Sequence, residues 1–109
     1  MYYFDPDGNP IDALDWGALY QEFDVNARIG LTDVNGYQVS TVWLGINHNH
    51  RGDPPIIFET MIFATDANDP LNCWCVRYAT KSAAQHGHEQ VVACLELGLD
   101  PDSLDLPLA

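Results

Sequence analysis

The sequence predicts an α+β fold: an antiparallel sheet of about four strands, with a short N-terminal helix and a longer C-terminal helix. Three observations carry that expectation. Residues 37–46 and 55–64 are two runs dense in β-branched and aromatic side chains, a composition that suits a packed, pleated surface. Asn35-Gly36, just ahead of the first run, is a tight-turn pair that returns the chain antiparallel to the segment before it. Residues 82–98 place a helical stripe of Ala84, His88, Val91, Val92 and Leu95 between the capping pattern Ser82-Ala83-Ala84-Gln85 and Gly98 as the residue just past the helix.

In chain order, Asp5-Pro6-Asp7-Gly8-Asn9-Pro10 is a dense cluster of turn formers. Its Asp-x-Asp-Gly wording matches part of a calcium loop, but the full spacing with its terminal Glu is missing, so a surface turn is expected. Residues 12–23 predict a short amphipathic helix with Leu14, Trp16, Leu19, Tyr20 and Phe23 mainly along one face and Asp12 or Asp15 as its cap. Residues 27–32 read as the first strand. In the second strand Tyr37, Val39, Thr41 and Trp43 share one face; in the third Phe58, Thr60 and Ile62 oppose Ile57, Glu59, Met61 and Phe63. Residues 72–79 supply a fourth strand, with Trp74, Val76 and Tyr78 facing away from Cys73, Cys75 and Arg77. Residues 99–109 read as an acidic, partly disordered tail, and residues 1–109 as one domain.

Neither central strand has a plainly polar face, so the sheet is expected to be covered on both sides, by the helices or by another subunit. Two short helices hardly cover both, and a homodimer using the open face is the expected oligomer.

Charge narrows the function. Sixteen acids against Arg28, Arg51, Arg77 and Lys81 give a formal net charge of −12. Direct binding of nucleic acid or of an anionic membrane needs clustered cations and is not expected. A solvated acidic surface, a basic partner, or mimicry of a polyanion all remain compatible. No apolar run approaches the ~20 residues of a membrane span, and Met-Tyr-Tyr-Phe-Asp-Pro-Asp lacks the basic and apolar regions of a signal peptide. Cys73, Cys75 and Cys94 form no disulfide framework. A reducing, cytoplasmic location follows as an expectation.

Few residues stand out for chemistry. Glu59 sits inside an otherwise largely apolar run and is costly to bury unless paired. Arg77 is its expected partner, either as a structural ion pair or as the polar side of a ligand pocket with Trp43 nearby. His88 lies on the apolar stripe, as a core histidine bonded to the sheet or as a ligand-contacting imidazole. His48 belongs to the polar loop 47–54, either a solvated connection or a binding loop. His48 and His50 could chelate together, but no zinc-site spacing is present, and neither a metal nor a cofactor is expected. Phosphate-loop, nucleophile-elbow and triad patterns are absent too, so a conventional enzyme is not supported.

Val39-Ser40-Thr41-Val42-Trp43-Leu44-Gly45, Pro54-Pro55-Ile56-Ile57-Phe58-Glu59-Thr60-Met61-Ile62-Phe63, Arg77-Tyr78-Ala79-Thr80 and Gly87-His88-Glu89 together resemble a family of small uncharacterised proteins of tailed phages and prophages, notably those of actinobacteria. The likeness runs from about residue 2 to 97. This chain has Ile46-Asn47-His48 where the family shows Leu-Asp-His, and His50-Arg51-Gly52-Asp53 where it shows a Gly-rich loop. The resemblance implies a phage protein acting inside a bacterial host and transfers no activity. The leading reading is a small accessory module, acting in counter-defence by binding a host protein or sequestering a small molecule. The alternatives are an acidic decoy of nucleic acid, and a small hydrolase or lyase using Glu59 and a histidine.

Overall fold

Four strands lie side by side in chain order, each antiparallel to the next: β3 (Arg28–Val34), β4 (Tyr37–Trp43), β5 (Phe58–Ala64) and β6 (Cys75–Tyr78). The computed structural model describes residues 2–105. Before the sheet come a two-stranded ribbon, β1 (Tyr3–Phe4) with β2 (Pro10–Ile11), then α1 (Ala13–Gln21) and the short α2 (Phe23–Asn26). After it come α3 (Lys81–Glu96) and a 3-10 turn, Pro101–Ser103. The α+β class and the antiparallel sheet are as the sequence predicts.

Turn chemistry fixes the register. Asn35 and Gly36 have φ of 49° and 83°, the two left-handed positions of a two-residue hairpin whose twist matches its strands. β4 stops at Trp43, three residues before the expected end at Ile46. The chain leaves the ladder at Gly45, where φ is 73° and a Cβ would stand 2.5 Å from Trp16 Nε1. Leu44 and Gly45 N–H both turn to the Ile57 carbonyl instead, and β5 correspondingly begins at Phe58 rather than Pro55. β6 is likewise shorter than residues 72–79. Cys73 (φ 69°) donates to Ile62 O while Ile62 N–H donates to Trp74 O, so two residues face one in a β-bulge.

The helix ends also separate sequence pattern from outcome. Asp12 caps α1 by accepting from Asp15 N–H at 2.8 Å. The cap of α3 is Thr80, accepting from Ala83 N–H, not the expected Ser82; a hydroxyl two residues earlier reaches the free N–H groups first. At the other end Gly98 has φ of 70°, with Gly98 N–H on Leu95 O and Leu99 N–H on Cys94 O. That paired closure is the Schellman arrangement. Leu14, expected on the buried side of α1, is 85% exposed. α1 meets the sheet through Trp16 and Tyr20, and Leu14 points away from both.

The packed residues gather on one side of the sheet. At the start of α3 and beside α1, Ala84 of the helix packs with Phe4, Ala27, Trp43, Ile57, Phe58 and Tyr78; at its end, Val91 and Leu95 pack on Val39 and Ile62. Thr41 and Thr60, both fully buried, sit on the same face. Part of the expected acidic tail is anchored: Pro101 is buried and Trp74 Nε1–H donates to Asp102 Oδ1 at 2.8 Å. Residues 106–109 lie outside the described residues. Among the described residues no helix is long and apolar enough to cross a membrane.

Candidate functional site

The cross-strand register sorts the candidate residues onto two faces. On the side away from α3, one row crosses all four strands as Leu31, Ser40, Met61 and Cys75; the next runs Arg28, Val42, Glu59, Arg77, and a third Asp33, Gln38, Phe63. α3 lies on the opposite side from these rows, and the helical contact to them is at one corner, where Arg28 lies over the Phe23 ring of α2. Leu31 and Phe63 are 47% and 42% exposed, which is high for large apolar residues in the body of a sheet. The expectation of cover on both faces is therefore not met within one chain.

Glu59 and Arg77 stand directly opposite each other on β5 and β6, and Arg77 Nε–H donates to Glu59 Oε2 at 3.0 Å. The carboxylate side chain is 12% exposed and the guanidinium 44%. The pair is thus lopsided: Glu59 is held in the sheet, while the outer edge of Arg77 faces water with donors to spare. His48 joins them from the loop. It lines a shallow hollow of about 320 Å³ with Ile56, Cys75, Val76 and Arg77. Burial and then Arg77 push its pKa below the ordinary imidazole range, while Glu59 pulls the other way. A neutral imidazole beside a guanidinium can accept or donate a hydrogen bond without adding charge.

The loop that carries His48 is ordered by its own side chains. Asn47 Oδ1 accepts from Asn49 N–H and Ile56 N–H, Asn49 Oδ1 accepts from Arg51 N–H, and Asn49 Nδ2–H donates to Pro54 O. His50 and Arg51 are exposed on it. Among the described residues, no group of three His, Cys, Asp or Glu converges in a way that could hold a metal. The Asp5–Asn9 segment is a side-chain-closed turn in which Asp5 Oδ1 accepts from Asp7 N–H and Asn9 N–H. Arg28, another scarce cation, pairs with Asp24 at 3.0 Å and lies over the Phe23 ring.

Trp43 and His88 belong to the covered face. Trp43 is fully buried, stacks on Tyr20 with ring centroids 5.0 Å apart, and donates Nε1–H to Phe4 O at 3.1 Å. It cannot share a pocket with Glu59, whose side chain emerges from the other side. His88 drops from α3 onto the sheet, with Nδ1 2.7 Å from Thr41 Oγ1 and Nε2 2.9 Å from Thr32 Oγ1. Burial holds its pKa below the ordinary range, with Glu89 acting in the opposite sense.

Of the five residues singled out from the sequence, the structure therefore brings His48, Glu59 and Arg77 together and separates Trp43 and His88 from them. An acid–base pair of Glu59 with His88 is ruled out by the intervening sheet; only His48 shares a side with Glu59. Sequence reasoning anticipated an open apolar face but not which rows form it, and it missed the hydroxyls of Thr32 and Thr41 as partners of His88, with Thr60 and Tyr78 next along the same chain. Alternation groups Thr41 with Trp43, Thr60 with Phe58 and Tyr78 with Trp74 inside their own strands, and the register then brings these groups onto one face. Comparison with protein-family models, with curated proteins and with solved structures finds no match to this chain.

Proposed function

We propose that this chain is a small accessory binding protein that engages a protein partner through the bare face of its sheet, with Glu59, Arg77 and His48 orienting the contact. The observation that carries the reading is the row Leu31, Ser40, Met61, Cys75 with Phe63 beside it, where the large apolar side chains of Leu31 and Phe63 stand open to water. Such an area on a chain of net charge −12 suits a partner with an apolar centre and a basic rim: burial supplies affinity, and opposite charge speeds encounter and rejects acidic competitors. In the phage setting that the sequence resemblance implies, that partner is a host protein, and counter-defence is the matching role. The acidic charge then serves recognition, without requiring the chain to copy a nucleic acid.

The test is capture of a host protein by tagged wild type, Leu31→Asp and Phe63→Asp, each at low and at raised salt. The reading expects one partner, held by the wild type, lost with both variants and weakened by salt, while both variants keep the wild-type melting temperature to within a few degrees. Equal capture by all three proteins sinks it.

A second reading is a homodimer through the same face, favoured by its charge. The Glu59–Arg77 pair is internally neutralised and Asp33 is the further acid on the three rows, so two copies of a strongly acidic chain would meet where repulsion is least. Native mass spectrometry of protein taken from cells separates the readings. It reports a dimer, a monomer with a partner, or a small molecule carried in the hollow beside His48.

A further inference from the structure

The covered face holds a second feature, independent of the partner surface. Its four hydrogen bonds form one continuous chain: Thr32 Oγ1 to His88 Nε2 at 2.9 Å, His88 Nδ1 to Thr41 Oγ1 at 2.7 Å, Thr41 to Thr60 at 2.6 Å, and Thr60 to Tyr78 Oη at 3.0 Å. It runs from edge strand to edge strand beneath α3. Each hydroxyl has a single proton to give, so the protons must be ordered. Tyr78 donates to Thr60; the Thr60 proton then goes to Thr41, and the Thr41 proton to His88 Nδ1. Nδ1 is left as the acceptor, and Nε2–H donates to Thr32. Every group is satisfied with the imidazole neutral.

Protonation of the ring makes Nδ1 a donor as well. Thr41 must then accept from it and turn its own proton to Thr60. Thr60 either turns its proton to Tyr78 or accepts from both neighbours, and in each case one hydroxyl proton, that of Tyr78 or of Thr60, has no acceptor left in the chain. No member of the chain itself carries a charge to offset the new one. The groups facing His88 are Gly30 and Thr32 from β3 and Thr41 from β4, with Thr60 from β5 and the neutral phenol Tyr78 from β6 next along the chain. The carboxylate acting on the ring is Glu89, exposed on α3 itself.

The fit leaves no slack. A Cβ at Gly30 would stand 2.8 Å from the His88 ring, and one at Gly87 would overlap the Tyr78 phenol. Glycine is disfavoured inside a strand or a helix, yet here it lets the imidazole lie on the backbone of β3 and the backbone of α3 lie on the phenol.

We propose that this hydroxyl–imidazole chain is a proton-operated latch on α3, closed while His88 is neutral and released when it is protonated. Because the fold favours the neutral ring, the unfolded chain takes up more protons in the acid range. The latch therefore contributes in full above about pH 6.5, the ordinary histidine value, and is lost as pH falls through the lower folded value.

Nitrogen-15 spectra of the imidazole, with amide exchange measured between pH 7.5 and pH 5, test this directly. The expected results are the Nε2–H tautomer, a midpoint below that of a histidine peptide, and loss of α3 protection at that midpoint ahead of β4 and β5. An Nδ1–H tautomer, an ordinary midpoint, or α3 protection that ignores the titration overturns the proposal. Thr32→Asp places a carboxylate by Nε2 at the edge of the sheet; it should raise the midpoint and keep α3 protected in acid. His88→Gln should flatten the pH response. If that variant does not fold, the wild type and Thr32→Asp decide.

Discussion

The two faces of the sheet use the same alternating strands for opposite purposes. On the α3 side, large side chains are locked: Trp43, Phe58 and Tyr78 are fully buried, and Trp43, Tyr78, Thr41, Thr60 and His88 each have a polar partner. On the other side, side chains of comparable apolarity are left half in water, and the strongest fixed interaction is a single lopsided ion pair. The difference teaches where to look for function. Polar groups that are completely satisfied inside a dry layer specify a unique structure, whereas an apolar area left open has a free-energy gain still to be collected from a partner.

That contrast is broken most forcefully on the covered side. Trp43→Ala removes a buried indole, its stacking on Tyr20 and its hydrogen bond to Phe4 O, and is expected to cost about 3–5 kcal/mol. Against a usual domain stability of roughly 5–15 kcal/mol, chemical denaturation should show a variant that is barely folded. Gly87→Ala comes next. The added methyl collides with the Tyr78 phenol, and relief requires α3 to lift or Tyr78 to give up Thr60, costing about 1–3 kcal/mol. A melting temperature unchanged by this substitution would show that the layer under α3 is looser than its geometry implies. Leu31→Asp and Phe63→Asp should then move stability far less than either, because water already reaches those positions.

Much of this arrangement was legible in the sequence, and the unreadable parts have specific causes. Alternation sorted each strand by itself, Val39, Thr41 and Trp43 in β4 and Phe58, Thr60 and Ile62 in β5, and Asn35-Gly36 marked the hairpin between β3 and β4. The β4–β5 register that puts both sets on one side, and Trp43 away from Glu59, came only from the structure. What alternation cannot say is which face receives the helices. Both faces of β5 read as apolar, so Glu59 and His88 could be imagined on one side until α3 was seen to seat on the other. Strand ends were missed where tertiary contact overrides β-propensity, as at Gly45 under the Trp16 indole. Leu14 was misassigned because α1 touches the sheet along a stripe too narrow to include it. The capping error at Ser82 reflects a local rival, Thr80, with the same chemistry.

The polar and charged candidates also divide between the faces. Thr41, Thr60, Tyr78, Gly87 and His88 all belong to the hydrogen-bonded layer under α3. Glu59 and Arg77 belong to the open side.

The smallest expected effect sharpens the comparison most, because it asks whether the ion pair belongs energetically to the core or to the surface. Its two members have unequal access to water, 12% for Glu59 and 44% for Arg77, so removing one is not equivalent to removing the other. Arg77→Ala leaves a largely buried carboxylate without its donor, which is costly for a charge held away from water. Glu59→Gln leaves a guanidinium that solvent can still reach, and an exposed pair is worth only about 0–1 kcal/mol. Arg77→Ala is therefore expected to destabilise by about 1 kcal/mol or somewhat more, and Glu59→Gln by about half of that or less. Urea unfolding of the two variants in parallel resolves the difference. Equal losses would mean that Glu59 is as well hydrated as its partner. A larger loss for Glu59→Gln would mean that the carboxylate organises Arg77 and the His48 hollow, making Glu59 the residue on which the open face depends.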